Sequence, residues 1–210
     1  MLHAATARIL GPACLQASEG ESVVGAVVQL WLPILLSAVA IFIVSSLIHM
    51  VFKWHNSTYH KLGEEDAVRA AIRASGAQPG MYVLPHCTDM KDMQDPAIVQ
   101  KMKEGPVGFL TLRPPGPPAM GASLLQWFLF TLAVAAGSAA ITVQAVGLGA
   151  GGHVGAHMIG LISLMAYAMG GLPEGIWMGR PWKSVALHAL DGLIYATVSA
   201  IVFMLLWPTS

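Results

Sequence analysis

Four long apolar stretches, separated by polar segments, constrain this 210-residue chain more than any other feature. The hydrocarbon core of a bilayer is about 30 Å thick, and a helix needs about 20 apolar residues to cross it. Within lipid, every backbone N–H and C=O must bond inside its own segment, which excludes open strands. We therefore predict an all-α membrane protein, a four-transmembrane-helix bundle with helices at residues 30–54, 122–148, 153–172 and 185–207.

Composition supports this membrane class. Apolar residues make up 55% of the chain and charged residues 10%, whereas a soluble domain has about 25% charged residues. The 11 basic and 11 acidic side chains cancel, so no net charge attracts a nucleic acid. The sequence has no GxSxG, HExxH, phosphate-loop or dinucleotide motif, so we predict no catalytic residue. The expected partners are the lipid bilayer and either further copies of the chain or other membrane subunits.

Basic residues predict how the chain crosses the membrane. Lys53, Lys61, Arg180 and Lys183 lie near span ends on one predicted side, and the tail on the other side has only Arg8. Basic loops are retained in the cytoplasm, so both termini are predicted to be extracytoplasmic. The remaining segments are an extracytoplasmic tail at 1–29, a small cytoplasmic α/β insertion at 55–121 between helices 1 and 2, and a cytoplasmic loop at 173–184.

The N-terminal tail is not expected to be a cleaved signal peptide. Residues 1–20 contain one arginine and no apolar core of the required length. Cys14 lies in this tail and Cys87 in the insertion, so the two cysteines fall on opposite sides of the membrane. We therefore expect no disulfide bond between them.

The insertion carries most of the charge and contains signals for short elements. The first span is expected to continue as a helix through Lys53 and His55 toward His60. Further on, Asp95 is a predicted N-cap followed by proline. So small a unit is expected to lean on the membrane face or on a partner. The predicted elements are helices at 64–75 and 95–105 and β-like runs at 81–84 and 107–112.

Small residues recur at four-residue spacing on the third and fourth spans. Lipid offers no hydrophobic drive for helix association, so helices pack where small residues let their backbones approach. These stripes predict a compact bundle, either within one chain or between chains. The residues are Gly152, Ala156 and Gly160 on the third span, and Gly192, Ala196 and Ala200 on the fourth.

A polar stripe on the fourth span is the most informative feature for function. It consists of His188, Asp191, Tyr195 and Ser199, which share one helical face. A carboxylate at membrane depth is costly and usually faces the bundle interior or a wet cavity. Two hypotheses follow, a path for protons or ions and a hydrogen-bonded latch to another helix or to the Arg180/Lys183 loop.

Histidines on different spans raise the alternative of a b-type haem. His49 and His188 are predicted to lie at similar depth, and two such histidines can ligate a haem axially. Ordinary hydrogen-bonded histidines explain the same pair. His49, His55 and His60 are spaced by six and five residues, so they are not expected on one helical face or at one metal site.

Two further groups suggest metal ligands. His153 and His157 are spaced i, i+4 on the third span, so both imidazoles face the same side, although no third ligand is evident there. In the insertion, a mixture of imidazole, thiol and thioether donors suits copper(I), although no CxxC is present. These residues are His86, Cys87, Met90 and Met93. An interfacial role for the histidine pair and an ordinary cytoplasmic loop are the competing explanations.

Several motifs together resemble a family of uncharacterised bacterial inner-membrane proteins with four spans. They are the segments 48–59, 105–110, 120–121, 127–129, 176–182 and 191–195. The resemblance covers about residues 30–207 and implies a bacterial inner (plasma) membrane as the setting. It implies no activity, because none is known to us for that family.

Three functions remain open on the sequence alone. The first is a non-enzymatic accessory or scaffold subunit of a membrane assembly. The second is a redox or proton-handling subunit that uses His49, His188 and Asp191, and the third is a small-solute or metal permease. The absence of an internal repeat and of a clear substrate site disfavours the permease.

Overall fold

A computed structural model describes residues 22–87 and 89–208 of the chain. The described part is mostly helical and includes one two-stranded sheet. Predictions about residues 1–21, including Cys14 and the absence of a signal peptide, lie outside the described residues. Of the tail, the described part forms a short helix α1, Val23–Gln29, which the sequence reading did not predict. The Ser22 side chain caps α1 by accepting a hydrogen bond from the Gly25 N–H.

Four helical segments are long and apolar enough to cross a membrane, as predicted. They are Trp31–Phe52, Met120–Val146, Gly152–Trp177 and Trp182–Leu206, and the shortest has 22 residues, or about 33 Å at 1.5 Å per residue. Their α-helical parts are α2 (Trp31–Leu47), α5 (Met120–Val146), α6 (Gly152–Ala168) and α8 (Trp182–Leu206). The length and composition of these four helices are therefore those of a multi-pass membrane protein.

The four long helices pack side by side around a common interior. Helix α2 lies against α5 and α8, and α6 lies against the same two helices, so each helix has two principal neighbours. The closest approach is between α6 and α8. A Cβ added to Gly192 would lie 2.7 Å from the Ala168 Cα, and one added to Gly160 would lie 3.2 Å from the Ala200 Cβ. The small-residue stripes thus face one another within one chain.

The bundle interior contains two clusters of apolar side chains together with buried hydroxyl groups. In the first cluster Leu30, Ile159 and Phe203 are fully buried, and the Trp207 Nε1–H donates to the Leu148 carbonyl at 2.9 Å. Ile41, Ile48 and Tyr195 form the second cluster. The packing of α2 against α8 positions the turns that follow α2 beside α8.

The first span does not continue as a helix toward His60, so that prediction is wrong. Helix α2 ends at Leu47, a π-helical turn follows at Ile48–Phe52, and a 3₁₀ turn covers Trp54–Thr58. Between the two turns Lys53 is left-handed, with φ 51°. A left-handed residue reverses the chain's course, which costs a non-glycine residue about 1–2 kcal/mol. The reversal directs the residues after Lys53 back onto α8.

The insertion has the predicted elements. Helices α3 (Glu65–Ala74) and α4 (Pro96–Glu104) alternate with strands β1 (Gly80–Leu84) and β2 (Gly108–Leu112), which pair antiparallel. Asp95 caps α4 by accepting from the Ala97 N–H at 2.7 Å, as predicted. None of the described residues from 56 to 130 is buried, so the insertion has no core of its own.

The third span extends further than predicted. Helix α6 is followed by a 3₁₀ turn at Met169–Gly171 and then by a short helix α7, Leu172–Trp177. The segment predicted as a loop from residue 173 therefore begins as a helical turn. Pro173 suits that position because the first turn of a helix needs no backbone N–H from it. This turn places Glu174 beside Arg180, and the two form an ion pair.

Candidate functional site

The best-defined polar site surrounds Asp191, which is 3% exposed on the interior face of α8. Both carboxylate oxygens are engaged by the segment that follows the first span. The Trp54 Nε1–H donates to Oδ1 at 3.1 Å, and the His55 Nε2 lies 2.6 Å from Oδ2. A buried carboxylate is costly unless it is paired in this way. The reversal at Lys53 is what brings both partners to Asp191.

Two more histidines complete what we call the His–Asp cluster, namely His49, His55, His188 and Asp191. The His49 ring stacks on the His55 ring with centroids 4.9 Å apart, and the His188 ring lies 4.7 Å from His55. The cluster therefore joins residues from the π-helical turn, the 3₁₀ turn and α8. It lies about 13 Å along α8 from Trp182, at 1.5 Å per residue.

Hydrogen bonds orient the two outer histidines. The His49 Nδ1–H donates to the Ser45 carbonyl at 2.9 Å, because a carbonyl can only accept, and this leaves the His49 Nε2 lone pair free to bind. The Arg180 guanidinium, which only donates, contacts His188 Nε2 and also pairs with Glu174. The Arg180 Nε–H donates to Ser184 Oγ at 3.1 Å as well.

The chemistry available at the cluster is that of proton exchange or metal binding. One ligand atom from each of His49, His55 and Asp191 lies within 4.8 Å of the others. Among the described histidines, cysteines and acids, this is the one group of three that meets that condition. Two imidazoles and a carboxylate are also a common proton-exchanging set.

A haem held by His49 and His188 does not fit this arrangement. The His55 ring contacts both of the other rings, with centroids 4.9 and 4.7 Å away. A porphyrin between His49 and His188 would have to displace His55 from Asp191, which is its hydrogen-bond partner. The expectation that His49 and His55 share no site is wrong, because it depends on an unbroken helix and the helix breaks at Lys53.

The predicted polar stripe lies on the interior face of α8. Asp191, Tyr195 and Ser199 are buried, and His188 is half-buried. Ser199 Oγ accepts a hydrogen bond from Ser37 Oγ at 3.2 Å, which links the stripe to α2. Four further buried hydroxyls have no hydrogen-bond partner among the described residues; they belong to Ser138, Thr142, Ser163 and Tyr167.

The other predicted metal ligands are not brought together in this way. His153 and His157 are exposed on α6 and belong to no group of three ligands among the described residues. In the insertion, Cys87 is half-buried and its Sγ–H donates to the Asp89 carbonyl at 3.3 Å. The other members of that predicted copper set, His86, Met90 and Met93, are exposed.

Trp54 and His55 are the site residues that the sequence reading missed. The available signal was the dipeptide Trp54-His55 directly after an apolar stretch, where an interfacial anchor is expected. Searches against protein-family models, curated proteins and solved structures gave no match to the chain. The resemblance to bacterial inner-membrane proteins therefore stays a prediction, and function has to be argued from the His–Asp cluster.

Proposed function

We propose that the protein is a proton-handling subunit of a bacterial inner membrane, in which the His55–Asp191 pair takes up and releases a proton. One observation carries this proposal, the 2.6 Å contact between His55 Nε2 and a carboxylate that is 3% exposed. A proton on His55 neutralises the buried carboxylate, and its loss leaves a charge that the surroundings must tolerate. An ionisable residue at membrane depth is a candidate functional residue by default, and proton relays are one of the roles such residues have.

Buried hydroxyls lie in the bundle interior, and those of Ser37 and Ser199 are hydrogen-bonded to each other at 3.2 Å. Asp191, Tyr195 and Ser199 follow one another at four-residue spacing, about 6 Å apart along α8. Ser163 and Ser138 add hydroxyls without described partners from α6 and α5. A buried hydroxyl both donates and accepts, so it can relay a proton where an apolar side chain cannot.

Proton flux into proteoliposomes tests the proposal. We expect the intact protein to conduct protons above the leak of empty vesicles, and Asp191→Asn to reduce this flux at least tenfold. Asp66→Asn is the matched control, because Asp66 is a carboxylate exposed on α3. Flux that is unchanged in Asp191→Asn, or absent from the intact protein, would remove the proposal.

An accessory subunit is the second candidate, and the insertion supports it. None of its described residues from 56 onward is buried, yet it exposes Met81 and Phe109 on the β1–β2 sheet and Val107 beside it. Such a unit is expected to rest on another surface. Gentle detergent extraction followed by mass measurement should then give a complex heavier than one chain. A lone monomer without a companion subunit would count against this role.

The orientation of the chain across the membrane is also part of the proposal. Lys53 lies at the same end of the bundle as Arg180, because Trp54 and His55 contact α8 near its start. We propose that both basic segments lie on the cytoplasmic side and both termini on the outer side, because basic loops are retained in the cytoplasm. In spheroplasts, a membrane-impermeant thiol reagent should leave Cys87 of a Cys14→Ser variant unlabelled. Labelling before the membrane is opened would reverse the proposed orientation.

A further inference from the structure

We propose that His49, His55 and Asp191 form a binding site for a divalent transition-metal ion of the zinc class, with water as the fourth ligand. This inference concerns the same cluster as the proposed function and goes beyond it, because metal binding requires no proton transport. The site joins the two turns that end the first span to α8, so a bound ion would also tie these segments together.

The donor set fits this class of ion. Zinc accepts imidazole nitrogen and carboxylate oxygen in tetrahedral sites, and three protein ligands plus water is its arrangement where one position stays open. Imidazole also suits iron, copper and nickel, whereas magnesium and calcium prefer oxygen ligands alone. Two imidazoles and one carboxylate therefore select for a transition metal over magnesium.

The spacing of the three ligand atoms is close to what such an ion needs. Metal–ligand bonds of about 2.0–2.2 Å in a tetrahedron place the ligand atoms about 3.3–3.5 Å apart. In the structure these atoms all lie within 4.8 Å of one another, and His55 Nε2 and Asp191 Oδ2 are 2.6 Å apart. Binding then requires His55 Nε2 and Asp191 Oδ2 to move apart by about 1 Å to admit the ion between them. It also requires the His49 ring, which is stacked on His55, to turn one of its nitrogens toward the ion.

The surrounding hydrogen bonds are those that metal ligands commonly make. A ligating histidine usually donates its other ring N–H to a carbonyl or carboxylate, which fixes the tautomer. His49 donates from Nδ1 to Ser45 at 2.9 Å and so keeps Nε2 for an ion. The second oxygen of Asp191 accepts from Trp54 at 3.1 Å, which leaves one oxygen for the ion.

A structural latch explains only part of this arrangement. Trp54 and His55 suffice to satisfy both oxygens of Asp191. His49 adds nothing to that pairing, yet it stacks on His55 at 4.9 Å and has a ring nitrogen within 4.8 Å of the other two ligand atoms. His188 stays outside the ligand set, because Arg180 occupies its Nε2.

Metal binding by the whole chain tests the proposal. The protein is purified in mild detergent through a histidine-free tag, stripped with a chelator, and titrated with zinc by calorimetry. Cobalt(II) serves as a spectroscopic probe, since it gives visible bands in a tetrahedral nitrogen and oxygen site. We expect one ion per chain, no competition by magnesium, and a higher melting temperature with zinc.

Substitution of the exposed ligand separates a site from chance binding. His49→Ala should weaken zinc binding by 10- to 100-fold and abolish the zinc-dependent rise in melting temperature. His49 is not part of the pairing of Asp191, so this variant should fold even if Asp191→Asn does not. The control is His157→Ala, an exposed histidine that belongs to no group of three ligands among the described residues.

The outcomes distinguish this inference from the proposed function. Equal zinc affinity in the intact protein and in His49→Ala, or no saturable binding, would overturn the metal site. Neither result would bear on the proposal that the protein handles protons. Zinc binding that depends on His49, in a protein without proton flux, would support the metal site and remove only the proton-handling proposal.

Discussion

Asp191 has both carboxylate oxygens paired with side chains from another part of the chain. Removal of either partner should lower the free energy of unfolding, because it leaves a buried charge partly unpaired. His55→Ala leaves Oδ2 of a 3% exposed carboxylate without its partner. We expect a loss of about 3 kcal/mol in the free energy of unfolding, because breaking a buried pair on one side costs about 3–5 kcal/mol. Unfolding in mixed detergents gives the value.

His60→Ala is the matched control for that prediction. His60 is an exposed histidine five residues further along the chain, so its removal should change stability by less than about 0.5 kcal/mol. The double variant His55→Ala/Asp191→Asn should recover part of the loss, because the uncompensated charge is gone. Equal stability of the His55 and His60 variants would contradict the paired arrangement.

Sequence alone found one side of this site and missed the other for a physical reason. Asp191 stands out because a carboxylate within an apolar stretch is costly wherever it points. His55 and Trp54 carry no such signal, since both are ordinary at a membrane interface. Their role depends on the left-handed conformation of Lys53, and no residue-type preference predicts a left-handed lysine.

Among the elements, the break between α2 and the 3₁₀ turn decides whether the site exists. Lys53 has φ 51°, a region that glycine enters freely and β-branched residues avoid. Lys53→Gly should therefore keep zinc binding, whereas Lys53→Val should lower stability by about 1–2 kcal/mol relative to it. Melting temperature and zinc affinity, measured on both variants, should fall together for valine. A valine variant with unchanged affinity would show that the reversal does not depend on this conformation.

The contact between α6 and α8 gives a second element-scale prediction. A Cβ at position 192 would lie 2.7 Å from the Ala168 backbone, which cannot move without separating the helices. Gly192→Ala is therefore expected to cost about 1–3 kcal/mol, as other overpacked sites do. Gly137→Ala on α5 is the control, because nothing lies within 4 Å of its added Cβ. It should be neutral or slightly stabilising, since alanine favours a helix by about 1 kcal/mol over glycine.

The elements that sequence predicted well are those with a local cause. The spanning helices follow from lengths of uncharged apolar chain, and α4 follows from the Asp95 cap and the glycine that ends it. Helix α1 and the extension of the third span by α7 have weaker local signals, so the sequence predicts a tail and a loop at these positions. Which small-residue stripe meets which also required the structure, because identical spacing suits contacts within or between chains.

For the whole molecule, the contrast between a packed bundle and an exposed insertion predicts how the protein responds to proteases. None of the described residues from 56 to 130 is buried, so local unfolding of the insertion should cost little free energy. Limited proteolysis in detergent should cut the insertion first and leave two fragments that co-elute, because α2 packs on both α5 and α8.

The nicked protein should also keep its zinc affinity, which is the strictest form of this prediction. The three proposed ligands lie on the first span's end and on α8, so a cut within 65–112 separates them in sequence and leaves their packing intact. Calorimetry before and after digestion measures this directly. Loss of affinity with the fragments still associated would mean that the insertion itself holds the ligands in place. Complete resistance to protease would instead point to a partner or to self-association that covers the insertion.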